Sequence, residues 1–251
     1  MSQFDLAMQS GFSTRHVSFI ETGRTQPSRQ ALLVLAETLE VPLRERNRLL
    51  EAGGFAHVYP QTPLAAAEMS HIRGVLQFIL DRHQPYAAVV LDRYSTCLMG
   101  NGVSERLLGA LVDPSLLTPH ANYLRLTFHP LGARRHIKNW IEVARHLIAR
   151  AERELGHAEH DETAGALLAE IRGYTTPDPQ RSATHVTAAD LLLPIQIQLN
   201  DVELRMFSTI MTLGTPRDVT LQELRIETFF PADARSEAAW TQLVGEGGAS
   251  G

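Results

Sequence analysis

The chain-breaking residues of the first 54 positions constrain this protein more than any other feature. Gly11, the stretch from Gly23 to Pro27, Val41-Pro42 and Gly53-Gly54 cut the segment into four pieces, 3–10, 14–22, 29–39 and 43–52. Each piece reads as a helix from its apolar spacing and its end signals. Isolated helices shorter than about 12–15 residues are marginal in water. The four therefore have to pack on one another as a small all-helical domain. The next stretch, Tyr59-Pro60-Gln61-Thr62-Pro63, has two prolines and no apolar periodicity, so it reads as a linker that divides the chain into 1–59 and 60–251.

Beyond the linker the texture changes. A helix is expected over 64–82, with Ile72, Val75, Leu76 and Ile79 on one face. Two apolar runs, 86–91 and 96–99, flank a polar turn and suggest a hairpin. Helices follow at 104–111, 136–155 and 163–174; the second carries Ile137, Trp140, Ile141, Ala144, Leu147, Ile148 and Ala151 on one stripe. Strands are expected at 195–199, 204–213 and 224–230, separated by Asn200-Asp201 and by the turn 214–218. Strands at both ends with helices between them make this part α+β, with an antiparallel sheet.

Within the first segment, residues 3 to 28 hold a spaced pattern: Gln3, Leu6-Ala7, Gly11, Ser13, Val17-Ser18, Ile20-Glu21, Gly23, Pro27-Ser28. Ala7 is small enough for a second helix to cross closely. Gly11 stands where a tight interhelical turn needs positive φ. Ser13 can cap the second helix, and Val17 and Ile20 anchor it. Thr14, Arg15, Ser18 and Phe19 then face outward, as the base-reading side chains of a recognition helix do. Arg15 suits a guanine edge, Thr14 and Ser18 suit bases or phosphates, and Phe19 a thymine methyl. Gln3, Ser13, Arg24 and Ser28 lie at helix starts and loops, where phosphate contacts are made.

This pattern resembles the Cro/repressor-like helix-turn-helix of xenobiotic-response-element type (XRE-family) regulators, over about residues 2–52. The resemblance implies double-stranded operator DNA as a partner, read by a homodimer. One departure is plain. The family has a helix before the Gln3 segment, whereas Met1 here stands directly on it. Either the start is placed late or the chain is a truncated paralogue that no longer reads DNA and acts by pairing or by ligand binding alone. Loss of a covering helix forgoes ~1.5–3 kcal/mol per large side chain left exposed. A chain extended upstream is accordingly expected to bind an operator more tightly. Ser2-x-x-Asp5 can serve as a capping box at the new start.

The second part has landmarks of its own. They are Pro85 to Arg93, Asn122-x-Leu124-Arg125-Leu126-x-Phe128-His129-Pro130, Asn139-Trp140, Phe207 to Ile210, Gly214-Thr215-Pro216-x-Asp218 through Glu227, and Phe229-Phe230-Pro231. They are similar to the ligand-binding domain of MmyB-like transcription regulators. The resemblance implies a PAS-like fold and a small apolar ligand of the long-chain fatty acid class. A curved sheet backed by helices can enclose such a ligand. Leu98, Phe128, Trp140, Phe207, Met211 and Phe229 are the wall candidates. Arg125, His129, Arg134 and Arg135 are the candidate carboxylate anchors, with nothing in the sequence to choose among them.

Other function classes are disfavoured. The net charge of -5, from 23 basic and 28 acidic residues, excludes a generally polybasic nucleic-acid coat. The first 59 residues hold six Arg and six acidic residues, so a DNA surface there rests on arrangement. No nucleotide-binding or hydrolase motif occurs, which argues against an enzyme, and no cofactor is expected. His157-x-x-His160-Asp161 is a weak metal pattern set among solvated glutamates, so no metal site is assigned. The single cysteine, Cys97, excludes an internal disulfide and reads as packing, in line with a cytoplasmic setting. No apolar run is long enough to cross a membrane.

Overall fold

The computed structural model describes residues 1–155, 161–175 and 192–245. In chain order its elements are α1 (Gln3–Ser10), α2 (Thr14–Glu21), α3 (Arg29–Thr38), α4 (Leu43–Ala52), α5 (Ser70–Arg82), β1 (Ala88–Leu91), β2 (Cys97–Gly100), α6 (Gly102–Leu111), α7 (Tyr123–Phe128), α8 (Trp140–Leu155), α9 (Glu162–Gly173), β3 (Ile195–Leu199), β4 (Val202–Met211), α10 (Val219–Glu223), β5 (Arg225–Pro231) and α11 (Ala234–Gly245). They form two compact units. One is Met1–Ala66 with Leu213–Glu223; the other is Ala67–Thr212 with the chain from Leu224 on.

The first unit is helical, and its helix ends follow from local chemistry. Ser2 and Asp5 form a reciprocal capping box on α1, and Gly11 ends that helix at φ 74°. Ser13 caps α2 by accepting from the His16 amide, and Ser28 caps α3 by accepting from Ala31. Leu6, Ala7 and Val17 are buried together, with Phe12 and Leu35 against them. The other side of α1 is open: Met1, Phe4 and Met8 are 69%, 63% and 70% exposed.

Helix α4 has no side-chain cap of its own, because Pro42 precedes it. The stretch 213–223 supplies one from far along the sequence. The Leu43 amide donates to Gln222 Oε1 at 2.6 Å, and Arg44 makes a two-pronged ion pair with Glu223 at 2.6 and 2.8 Å. The same stretch holds the proline-rich segment after α4. Thr62 N donates to Asp218 Oδ2 and Val219 N donates to Pro60 O. Buried Asn47 fastens Val58 and Tyr59 to α4 through three hydrogen bonds.

The second unit is α+β. Its sheet is antiparallel throughout, with strand order β2-β1-β5-β4-β3. One core joins Val103, Leu126, Leu204, Met206 and Trp240; a second joins Phe128, Ala144, Leu168 and Ile171. Helix bounds and buried faces differ in places from the sequence reading. On α5 it is Leu76 and Leu80 that are fully buried, while Val75 is exposed. And α8 begins only at Trp140, which leaves Ile141 61% exposed. The preceding residues are extended instead. Ile137 bridges Ile197 of β3, and the Asn139 side chain donates to Pro194 O and accepts from Gln196 N. An asparagine amide that copies a backbone pair outcompetes the first turn of a helix.

Candidate functional site

The first candidate surface belongs to α2 and its flanks. Thr14, Arg15, Arg24 and Ser28 are exposed, and Ser18 is half-buried. Phe19 is half-buried too, and guanidiniums lie over its ring: Arg15 at 5.1 Å and Arg24 at 5.9 Å from the centroid. The ring thus holds two cations beside each other on the outer face. Gln3 donates to the Glu21 carboxylate, which ties the start of α1 to the end of α2. The hydroxyls of Ser13 and Ser28 already serve as helix caps.

The second candidate is a cavity of about 130 Å³ in the second unit. That is roughly ten times the space one buried water needs, so it is more than a packing fault. Helix α8 turns Leu147, Arg150, Ala151, Glu154 and Leu155 toward it, one face at helical spacing. The sheet adds Leu91, Met206, Glu227 and Phe229, Ala87 lies just before β1, and α7 adds Tyr123, Leu124, Leu126 and Thr127. The wall is mostly apolar, with a few polar groups set in it.

Of the six expected wall residues only Phe229 lines this cavity. Strand parity explains two of the others. Glu227 and Phe229 point to the cavity, but Phe207 pairs with Phe230 and Met211 with Ile226, on the opposite face. Leu98 is 39% exposed on the edge strand β2. Phe128 and Trp140 meet edge to face at 5.2 Å within the helical core beside α9.

The four expected anchors also lie elsewhere. Arg125 is bound to Glu170 by two contacts of 2.6 Å. That pairing holds the Glu170 carboxyl below its ordinary range. Arg134 donates to the carbonyls of Phe128 and Tyr174 and lies over the Trp140 ring. Arg135 contacts His136, and His129 Nδ1 accepts from the Leu131 amide. The arginines of the cavity wall are Arg93 and Arg150, which the sequence did not single out.

Cys97 is half-buried, and burial pushes its thiol up to about 11. The thiolate is the reactive form. At pH 8 the folded chain is therefore expected to react with iodoacetamide about 100-fold more slowly than the urea-unfolded chain. Equal labelling rates by mass spectrometry would refute this. Residues 157 and 160 of the weak metal pattern lie outside the described residues. Among the described residues no cluster of three or more His, Cys, Asp or Glu side chains is arranged for a metal. Nor is any described helix long and apolar enough to cross a membrane.

Comparison with known proteins finds a match in each part of the chain. Residues 1–46 match a helix-turn-helix family model. Residues 72–243 match the family model of the MmyB-like transcription regulator ligand binding domain. No curated protein matches the chain. Among solved structures, one titled "Structure of an RNA-binding Light-Oxygen-Voltage Receptor" aligns over 98% of this chain and 57% of its own, at 11% identity and a TM-score of 0.27. This chain thus spans little more than half the length of that structure. The ligand-binding match extends over more than half of the sequence, and it is preceded by a helix-turn-helix match: the chain belongs to the MmyB-like family of transcription regulators.

Proposed function

We propose that the protein is a ligand-responsive transcription regulator that reads an operator through α2 as a homodimer and binds a small apolar ligand in the cavity of its second unit. The observation that carries this is the pairing, in one chain, of a capped second helix with two outward cations and a mostly apolar cavity. An alkyl chain of the fatty-acyl class is the ligand tail to try first. We place the division between the reading and sensing parts near residue 59. Ligand control requires that the ligand bind the DNA-competent and DNA-incompetent states unequally. The route we assign for this is the stretch 213–223. It joins β4 to β5, which carry Met206, Glu227 and Phe229 of the cavity wall, and it is held to α4.

The test is a mobility-shift titration against the region upstream of the protein's own reading frame. Arg15→Ala is expected to weaken the specific complex about tenfold or more, the loss of one bidentate base contact, and to leave melting unchanged. Affinity should fall steeply with added salt as counterions are released. A complex that ignores Arg15→Ala, or binds all sequences alike, would rule the reading surface out. A second reading, pairing with a related chain without DNA contact, is favoured by the exposed Phe4 and Met8 on α1. It predicts no sequence-selective shift under any salt condition.

A further inference from the structure

Tyr123 is half-buried and lines the cavity. Its backbone is fully engaged: the amide donates to Ser95 O, and the carbonyl accepts from Thr127 Oγ1. Its ring stacks on Phe229 at 6.4 Å. Its hydroxyl has no hydrogen-bond partner among the described residues. A hydroxyl at a cavity wall can take its hydrogen-bond partner from whatever fills the cavity. Burial, with Cys97 and Glu227 nearby, keeps this phenol well above its ordinary pKa, so it remains a donor.

The charged groups of the same wall are already engaged in ion pairs. Arg150 pairs with Glu154 at 3.1 Å and with Glu227 at 3.5 Å, and Arg225 also binds Glu154. Arg93 pairs with Asp161 at 2.9 Å. Around Arg150, two arginines thus stand against two carboxylates, Arg150 and Arg225 against Glu154 and Glu227. A carboxylate ligand entering here would meet Glu154 and Glu227 as well as Arg150 and would leave the group with an uncompensated negative charge. Freeing Arg150 for the newcomer would strand a buried glutamate instead, which is the expensive outcome for a broken internal ion pair. An uncharged acceptor meets neither penalty and satisfies the Tyr123 hydroxyl.

From this we infer that the cavity selects a single-tailed amphiphile with an uncharged hydrogen-bond-accepting head, such as an ester or lactone carbonyl, received by Tyr123, in preference to a fatty acid anion. The inference rests on the reading of the cavity as the ligand site and specifies the head group that site takes.

Calorimetric titration of the full chain at pH 8 with methyl dodecanoate, dodecanoate and dodecane tests it. The ester is expected to bind at least tenfold tighter than the anion. Tyr123→Phe should cost the ester about five- to tenfold and leave dodecane unchanged. Glu227→Gln should tighten dodecanoate binding at least fivefold, and Glu154→Gln serves the same purpose if the first variant melts early. Dodecanoate binding as tightly as the ester, or an ester indifferent to Tyr123→Phe, overturns the head-group assignment and leaves the cavity a ligand site. Failure of all three probes to bind overturns the ligand site together with it.

Discussion

Gly132→Ala is expected to unfold the second unit at temperatures where the parent chain is intact. A Cβ built on Gly132 would stand 2.0 Å from the Leu126 carbonyl oxygen, 3.0 Å from its carbon and 3.1 Å from the His129 oxygen. All three atoms are backbone, at the end of α7 and in the turn that follows it. No rotamer change relieves the clash. The turn cannot open easily either, because Gly132 N donates to His129 O at 2.8 Å and Asp113 N to Leu131 O at 3.0 Å. Moving the end of α7 displaces Leu126 and Phe128, each buried in one of the two cores. A loss of about 4 kcal/mol or more follows, in the range reserved for core disruption. For a unit of this size the melting temperature falls by roughly 10 °C. Gly165→Ala on α9 is the control. Nothing lies within 4 Å of its added Cβ, and a glycine inside a helix costs about 0.5–1 kcal/mol relative to alanine. That variant should melt at or above the parent temperature by circular dichroism. A Gly132→Ala chain that melts with the parent would mean the turn is far softer than its contacts imply.

Much of the first unit was legible because its signals are local. Gly11, Ser13, Ser28, Pro42 and the Gly53-Gly54 pair each act on the residue beside them, and α1 and α4 fall where those signals place them. Strand β3 was equally readable from strict alternation, Ile195 to Leu199. The helices α7 and α11 were not. The first is six residues long and depends on the Asn122 cap; the second is fixed by Trp240, buried and donating to Pro85 O 155 positions away. The cavity was harder still. Its wall depends on which face of β4 and β5 each side chain takes, and a shift of one residue exchanges the two sets. That is why Phe229 and Phe207 looked alike in sequence and stand on opposite faces. Arg150 and Glu154 were hidden for another reason. Charged positions on an amphipathic helix normally mark the solvent side. Here they line the cavity, and Glu227 and Arg225 of β5 neutralise them.

The contact of 213–223 with α4 could not be read from sequence either, since its partners lie 179 positions apart. It yields the second large expected effect. Arg44→Glu places a carboxylate against Glu223, where the two side chains are each only 21% exposed, and like charges that close repel. The variant should still bind an operator and still bind a ligand, each within about twofold of the parent. What it should lose is the link between them. Allosteric coupling typically changes affinity by about 5- to 150-fold, and in Arg44→Glu the ligand should change operator affinity by less than about twofold. The reversed pair, Arg44→Glu with Glu223→Arg, should restore the response, which a simple loss of stability would not. Mobility-shift titrations with and without saturating ligand measure all three chains. If Arg44→Glu responds to ligand as the parent does, the signal does not pass through this stretch. The reason to expect otherwise is covalent. Strands β4 and β5 carry cavity residues, and any change in their register or twist must be absorbed by the segment that joins them. That segment caps α4 through Gln222 and clamps it through Glu223, so a strain arising at Met206 or Phe229 ends on a helix of the DNA-reading unit.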